Sequence, residues 1–358
     1  MATADTSDAS GRGDRDEFSG SSSTVEQRQP QLAPDTAEPH GRARFLAAFA
    51  RSKWAAPVVF LVAAALPFIT ATPYALSVMT TAAIFVMLCS GLNVVVGYCG
   101  LLDLGYAAFF AVGAYVSGVL ATRTGLSLVE TIPFVIAACV VAGLVIGLPT
   151  LRLRTDYLAI VTLGFGEIIR ITANNISVTG GPSGIYGIPS FSLFGYSLDS
   201  PASFYYFTLV VVALAVVGAA RLGRGRLGRA WLCVREDEDA AEAMGINTYR
   251  TKLAAYVTGA VWGGLGGVLF GAQLSAVSPA SFVFLQSALV LMAVVLGGMG
   301  STPGIVLGAV FVSVAPELLR SFSDWRYLAF GVLLIVVMIF RPQGLWPSTV
   351  ARRREVEQ

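Results

Sequence analysis

Long apolar stretches separated by short polar connections dominate the chain from residue 55 onwards. A helix satisfies its own backbone hydrogen bonds in lipid, and about 20 apolar residues cover the roughly 30 Å hydrocarbon core of a bilayer. Stretches of about this length predict ten transmembrane helices, at 55–71, 75–97, 104–121, 131–150, 157–173, 203–220, 253–272, 284–299, 302–319 and 326–340. The pattern therefore predicts an all-α integral membrane protein, in agreement with a composition of 55% hydrophobic and 13% charged residues.

The two ends of the chain differ from this pattern. Residues 1–41 are rich in Ser, Asp, Gly, Arg, Pro and Gln, which is typical of a disordered tail. The basic amphipathic stretch RARFLAAFARSK (42–53) leads into the first span. Because its charge lies far from the start of the chain, we expect an uncleaved span and not a removed signal peptide. The chain thus divides into a disordered tail (1–41), a transmembrane domain (42–346) and a basic tail (347–358).

Positive charges are distributed unevenly between the two sides of the predicted bundle. With the amino terminus in the cytoplasm, 17 Lys and Arg residues fall on inner segments and three, Arg123, Arg320 and Arg326, belong to the outer side. Cytoplasmic segments of membrane proteins carry such an excess, and an even number of spans preserves the alternation. We therefore expect both termini to be cytoplasmic.

Two connections are too long for simple turns. The outer one, at 174–202, has many Gly, Pro and Ser residues and no Lys or Arg, which predicts a structured external loop. The cytosolic one, at 221–252, contains REDEDAAEAMGI (235–246), whose strong helix formers end at Gly245. Consecutive charges are usually only a solvated surface, but a short cytosolic helix also suits the docking of a soluble partner.

The motifs of ATP-hydrolysing and metal-dependent enzymes are missing from the sequence. A phosphate-binding loop needs a Gly-Lys pair leading into a helix, and the two lysines, Lys53 and Lys252, each follow a hydroxyl residue. The sole histidine, His40, lies in the polar tail, and the four cysteines form no CxxC pair. We therefore expect no catalysis, no metal and no cofactor bound by this chain, which leaves transport, conduction or scaffolding.

Two pairs of polar residues lie within predicted spans and are candidates for a translocation path. Glu167 and Arg170 are three residues apart and can pair on one helix face, where a structural ion pair or snorkelling towards the outer surface would also explain them. Ser90 and Asn93 lie in the second span, where hydrogen bonding between helices is the alternative to contact with a solute.

Glycines recur every four residues in several spans. Such spacing places them on one helix face and allows close approach of two backbones, so we expect these positions to pack helices together, or to form a sliding interface that opens a path. The candidates are Gly259, Gly263, Gly267 and Gly271, then Gly300, Gly304 and Gly308, and the pair Gly143 and Gly147.

A series of motifs resembles, in order along residues 75–346, the LivM-type permeases of the branched-chain amino-acid ABC importer family. Within it, DAAEAMG (239–245) resembles the cytosolic coupling motif by which importer permeases dock to their ATPases. The other motifs are GLNVVVGYCGLLDLGYAAFFAVGAY (91–115), LRLRTDYLAIVTLGFGEIIR (151–170), TGGPSGIYGIP (179–189), GRAWLCVREDEDAAEAMGI (228–246), SPASF (278–282), VVLGGMGSTPGIVLGA (294–309) and FRPQGLW (340–346).

The resemblance implies a multi-pass subunit of the bacterial cytoplasmic membrane that works with a related second permease, two ABC ATPases that use ATP, and an extracytoplasmic solute-binding protein. The coupling helix implied by the motif contains Glu238, Asp239, Ala240, Ala241 and Gly245. Which of the two carboxylates meets the ATPase stays open.

Three alternatives remain at this stage. Urea and short-amide permeases share much of the same pattern, so the solute is less certain than the transporter class. An ion-coupled secondary carrier would use Glu167 and Arg170 and would transport without ATPase partners, although no internal repeat supports it. A channel or purely structural subunit would show no response of its solute flux to ATPases.

Overall fold

The computed structural model describes residues 60, 63–65, 67, 72–151, 155–193, 196–318, 328, 331–332, 335, 339 and 344–346. All of them belong to one compact unit, Phe49–Gln358, and the second unit, Met1–Ala48, lies outside the described residues. The predicted tails at 1–41 and 347–358 also lie outside them, as do most residues of the predicted spans 55–71 and 326–340.

Helices account for nearly all of the regular structure in the described part of the chain. Each predicted span from 75–97 to 302–319 overlaps one of them. The helices are α1 (Pro73–Leu92), α2 (Ala107–Thr124), α3 (Leu128–Thr150), α4 (Thr155–Asn175), α5 (Pro201–Arg224), α6 (Arg226–Glu236), α7 (Glu238–Ala243), α8 (Thr248–Leu274), α9 (Phe284–Gly297) and α10 (Thr302–Leu318).

Among the described residues, five helical segments are long and apolar enough to cross a membrane: Pro73–Tyr98, α2, α3, α5 and α8. The helices α9 and α10 are apolar but shorter. The helix α4, which carries Glu167 and Arg170, is outside both groups. The described residues therefore form an all-α bundle of membrane-protein character.

The helix ends follow ordinary capping chemistry. Thr72 precedes α1 and accepts a hydrogen bond from the backbone N–H of Ala75, and Pro73 occupies the first helical position, where its missing N–H costs nothing. Ser127 and Glu130 form a capping box at the start of α3, with the Ser127 N–H 2.9 Å from Glu130 Oε2.

The second predicted span, 75–97, does not end as an α-helix. From Asn93 to Tyr98 the chain forms a π-helical turn that continues α1. The local sequence NVVVGY is apolar apart from Asn93 and Tyr98 and gives no signal of the change. Such turns occur often at functional sites.

The helix α8 lies at the centre of the bundle, against α1, α2 and α3, while α10 packs on α9 and α1. In α8, the ring of Tyr256 packs edge-to-face on that of Phe109 of α2, with ring centroids 5.4 Å apart. Both side chains are fully buried. Close helix packing of this kind holds a membrane bundle together where the hydrophobic effect between helices is weak.

Two short antiparallel strand pairs order the outer connections. The strands β1 (Ile185–Tyr186) and β4 (Ala276–Val277) pair with Ile185 opposite Val277, which joins the predicted external loop 174–202 to the connection after α8. The strands β2 (Ser192–Leu193) and β3 (Tyr196–Ser197) form a hairpin within that loop. The short 3₁₀ turns Ser177–Thr179, Gly181–Ser183 and Pro279–Phe282 complete these connections.

Candidate functional site

The segment 221–252, which the sequence predicts to be cytosolic, contains α6 and α7, and both helices pack on the bundle. Trp231 of α6 is fully buried, and its indole N–H donates to the carbonyl oxygen of Thr251 in α8 at 2.9 Å. A Cβ built at Gly228 would lie 2.0 Å from the carbonyl oxygen of Gly223, so α6 turns back tightly on the end of α5. The segment is therefore not a flexible loop but packs on α5 and α8.

The helix α7 begins and ends where the sequence predicts a short helix. The Asp237 carboxylate accepts the N–H of Ala240 at 2.9 Å, which caps the amino-terminal end. At the other end Gly245 has a φ of 85°, a left-handed conformation that glycine adopts without strain, and its N–H donates to the carbonyl of Glu242.

The charged side chains of α7 divide between the protein and the solvent. Glu238 forms an ion pair with Lys252 of α8, and Glu242 Oε1 accepts the hydroxyl of Thr248 at 2.7 Å. Asp239 is exposed and takes part in no hydrogen bond or ion pair with another described residue. The sequence alone does not distinguish the two carboxylates, but the structure does. Glu238 binds Lys252 of its own chain, and Asp239 is exposed to solvent.

The remaining residues of the predicted coupling helix are also divided between two faces. Ala241 is buried against the bundle, whereas Ala240 and Gly245 are exposed beside Asp239. Met244 lies on this exposed surface too and is 83% accessible. The outward surface of α7 thus combines one free carboxylate with small and apolar side chains.

A polar contact joins this cytosolic element to the π-helical turn. The Arg235 guanidinium at the end of α6 donates through Nη1 to the carbonyl oxygen of Gly97. Gly100, with a φ of 76°, lets the chain pass beside the same side chain, since a Cβ there would lie 2.9 Å from Arg235 Cγ. The sequence gives no signal of this contact, because Arg235 and Gly97 are 138 residues apart along the chain.

Ser90 and Asn93 lie together at the other end of that turn. Asn93 Oδ1 accepts the N–H of Gly300 at 2.8 Å, and Ser90 Oγ donates to the carbonyl of Met87 in its own helix. Both residues are buried and line a cavity of about 10 Å³ between α1, α5 and α10, together with Tyr98 and Thr302. That volume holds about one water molecule.

Glu167 and Arg170 lie elsewhere, on the surface of α4. Arg170 Nε lies 3.1 Å and 3.0 Å from the two Glu167 carboxylate oxygens, and Nη2 contacts Oε1 as well. Neither residue lines the cavity beside Ser90 and Asn93. The four candidate path residues therefore form two separate pairs.

The predicted glycine faces make close backbone contacts at several positions. A Cβ at Gly267 would lie 2.2 Å from the carbonyl oxygen of Phe110, and one at Gly308 would lie 2.2 Å from that of Ala293. The other positions that a Cβ would bring into contact with a neighbouring element are Gly143, Gly147, Gly259, Gly263, Gly271 and Gly304. These positions hold α8 against α1, α2 and α3, and α10 against α9.

Gly300 is a correction to the predicted series. It lies between α9 and α10 with a φ of 82°, so it belongs to a turn and not to a helix face. Its four-residue spacing from Gly304 is therefore incidental, and its role is to present its N–H to Asn93. Sequence reasoning also missed the close contact of Gly113 with Gly264. A Cβ built at Gly113 would lie only 2.0 Å from the carbonyl oxygen of Gly264.

Asp103 is a buried acidic residue in the connection between the π-helical turn and α2. The side chain is fully buried, and Oδ1 accepts the N–H of Gly105 at 2.8 Å. The second oxygen, Oδ2, has no hydrogen-bond partner among the described residues. Its hydrogen bond shapes the turn that leads into α2.

On the opposite side of the bundle, Asp199 orders the external loop. The hydroxyl groups of Ser190 and Ser197 both donate to its carboxylate. These hydrogen bonds favour the ionised form and hold the pKa of Asp199 below its ordinary value.

In the part of the chain that the structure describes, no group of His, Cys, Asp or Glu side chains has the arrangement of a metal site.

Comparison with known proteins gives consistent matches over most of the chain. Residues 74–340 match the family described as the permease component of branched-chain amino acid transport systems. The high-affinity branched-chain amino acid transport system permease protein LivM of Salmonella typhimurium is 42% identical over 315 residues, which is 81% of this chain and 74% of that protein. LivM of Escherichia coli is 42% identical over 296 residues, 76% of this chain and 70% of its own.

A weaker match is with a different permease of the same kind of system. LivH of Escherichia coli, also described as a high-affinity branched-chain amino acid transport system permease protein, is 30% identical over 126 residues, which is 34% of this chain and 39% of that protein. No solved structure matches the chain.

Proposed function

Since the chain belongs to the family of permease components of branched-chain amino acid transport systems, we propose that it is a membrane-spanning subunit of an ABC importer for branched-chain amino acids. Its partners are a related second permease, two ABC ATPases that bind and hydrolyse ATP, and an extracytoplasmic solute-binding protein. The chain itself binds no cofactor and catalyses no reaction. It spans the bacterial cytoplasmic membrane ten times with both termini inside.

The observation that carries this proposal is the outward surface of α7. ATPase closure can move a permease only through an element that projects into the cytosol and is fastened to the transmembrane helices. Asp239, Ala240 and Gly245 provide the exposed surface, while Glu238 and Ala241 hold α7 to the bundle. In this proposal Asp239 is the carboxylate that contacts the ATPase.

Movement of α7 would reach the bundle by two routes. Glu238 and Glu242 connect α7 to the first turns of α8, through Lys252 and Thr248. Arg235 connects α6 to the carbonyl of Gly97 in the π-helical turn. Packed helices with two discrete arrangements transmit such a displacement better than a flexible loop does.

The second route ends at the candidate translocation path. The π-helical turn begins at Asn93, which binds the backbone of Gly300 at the start of α10. A shift of this turn would therefore change the space between α1, α5 and α10, where Ser90 and Asn93 lie. With room for about one water molecule, that space is closed to an amino acid in the present conformation.

The chemistry of the cavity suits an apolar or zwitterionic solute. Its lining combines hydroxyl and amide groups with Val216, Ile305 and Val306 and includes no charged side chain. A phosphate or another multiply charged solute would need compensating charges in such a site. Branched-chain amino acids have an apolar side chain and no net charge, so they need no compensating charge in the lining. The solute-binding protein supplies most of the binding affinity.

The external loop 174–202 is the surface that we assign to the solute-binding protein. Its two strand pairs and the hydrogen bonds around Asp199 give it a defined shape.

The tight glycine contacts of α8 keep the helices close enough for small displacements to open or seal the path.

Uptake of radiolabelled leucine into proteoliposomes tests the proposal as a whole. The complete complex, with the solute-binding protein outside and ATP enclosed, should accumulate leucine, and vesicles without the ATPases should not. Equal uptake without ATPases, driven by an ion gradient, would contradict it. Excess unlabelled isoleucine or valine should compete for uptake, and excess urea should not.

A further inference from the structure

The helix α4 exposes one side along its length. The positions that form this side recur every three or four residues, as expected for one helix face, while Leu158, Thr162 and Ala173 on the other side are buried. We call the following set the α4 face: Tyr157, Ile160, Gly164, Glu167, Ile168 and Ile171.

An ion pair interrupts this otherwise apolar surface. The side chain of Glu167 is 43% exposed and that of Arg170 is 28% exposed. At 1.5 Å per residue, Glu167 lies about 12 Å along the helix from Asn175, the last residue of α4, and so well inside the helix. Ionised side chains within a transmembrane helix almost always face protein or water and not lipid.

The α4 face also has an opening for close approach. A Cβ built at Gly164 would meet no atom within 4 Å, so the backbone is bare at the centre of the face. Small residues at such positions let a second transmembrane helix come near. The bonds to Glu167 use Nε and Nη2 of Arg170, and the described residues provide no hydrogen bond to Nη1, which is available to an acceptor on a partner.

Two other helices, α3 and α5, expose a side that is apolar between the helix ends, as expected of a surface in contact with lipid. The exposed side of α3 carries large apolar residues such as Val141 and Val145, and that of α5 carries Val210 and Leu214. Between 134 and 148 in α3, and between 203 and 220 in α5, the sequence has no charged residue. Of these three helices, α4 alone exposes an ion pair and a bare glycine.

We propose that the α4 face is the surface on which the second permease subunit packs, in a chain whose proposed function requires such a partner. The occupant is a transmembrane helix of a related permease that offers apolar side chains, a close backbone contact at Gly164 and a hydrogen-bond acceptor for Arg170. The sequence relationship to LivH over a third of the chain supports a partner of related fold. Lipid alone satisfies the apolar positions but not the ion pair.

Site-specific photocrosslinking within the complete complex tests this surface. Ile160 of α4 and Leu214 of α5 are matched positions, because each is an aliphatic residue that is 68% exposed. With p-benzoylphenylalanine at position 160, irradiation should link the chain to the second permease, and the same probe at position 214 should yield only lipid adducts. Permease crosslinks at 214 and none at 160, or crosslinks at 160 only to lipid or to another copy of this chain, would overturn the assignment.

Tryptophan substitutions provide a second measurement. Ile160→Trp should lower the amount of second permease that co-purifies by about tenfold, the change that a loss of ~1.4 kcal/mol of association free energy produces. Leu214→Trp, which adds the same bulk towards lipid, should leave co-purification unchanged, and equal effects of the two variants would contradict the proposal. ATP-driven leucine uptake is read separately: crosslinking at 160 without ATP-dependent uptake would refute the proposed function and leave the interface standing.

Discussion

Glu238 of α7 and Lys252 of α8 form an ion pair that joins the short helix α7 to the central helix of the bundle. The Lys252 side chain is mostly buried, while the Glu238 side chain is half exposed. The neighbouring carboxylate, Asp239, is exposed to solvent. In the proposed mechanism, Glu238 holds α7 on the bundle and Asp239 contacts the ATPase.

Exchanging the charges of this pair tests whether it positions α7. Lys252→Glu alone places two carboxylates together and should reduce ATP-driven uptake about fivefold, the effect of ~1 kcal/mol for a partly exposed pair. The double variant Glu238→Lys with Lys252→Glu should recover most of the uptake, because it restores the pair. A double variant that is no better than the single one would show that the ion pair does not position the helix.

Arg235 separates transmission from docking. Arg235→Met removes the donor to the Gly97 carbonyl and leaves the outward surface of α7 intact. We expect the ATPases to co-purify at the normal level while leucine transported per ATP hydrolysed falls severalfold. Parallel assays of hydrolysis and uptake in proteoliposomes measure this ratio. An unchanged ratio would contradict the role of this contact.

Asn93 and Ser90 should respond differently to truncation. Asn93→Ala leaves the partly buried N–H of Gly300 without its acceptor, which costs about 1–3 kcal/mol, and should lower both the thermal stability and the uptake rate. Ser90→Ala removes only a bond within one helix and should cost about 0.5 kcal/mol or less in stability. Thermal unfolding of the detergent-solubilised complex compares them, and equal losses would refute the inter-helix role of Asn93.

Gly267 and Gly164 offer a matched comparison of close packing. Gly267→Ala places a methyl group against the carbonyl of Phe110 and should destabilise the bundle by about 1–3 kcal/mol through overpacking. Gly164→Ala meets no atom of this chain and improves helix propensity, so the stability of the isolated subunit should hold or rise slightly. Melting temperatures of the two purified variants decide, and a loss at Gly164 as large as that at Gly267 would contradict the packing described.

The sequence predicts the long helices of the described residues well because their apolar runs are long. Thr72, Ser127 and Gly245 add local signals that define helix ends. The short helix α7 is likewise predictable, since EDAAEA consists largely of good helix formers and a glycine follows soon after.

The tertiary contacts at the site are not predictable in the same way. The turn is mostly apolar in sequence, and its residues Asn93, Gly97 and Tyr98 form hydrogen bonds with distant parts of the chain. The choice between Glu238 and Asp239 depends on a lysine 14 positions away from Glu238. Spacing within a segment carries no information about such partners, as Gly300 shows by its place in a turn.

The most direct test of the coupling role of α7 is co-purification of the ATPases with Asp239 variants of the tagged permease. Asp239→Lys should reduce the recovered ATPase about tenfold or more, as expected when a charge at an interface is reversed. Asp239→Glu, which keeps the charge, should retain both ATPase binding and ATP-driven leucine uptake. Normal ATPase recovery and normal uptake with Asp239→Lys would contradict the assignment of α7 as the coupling helix.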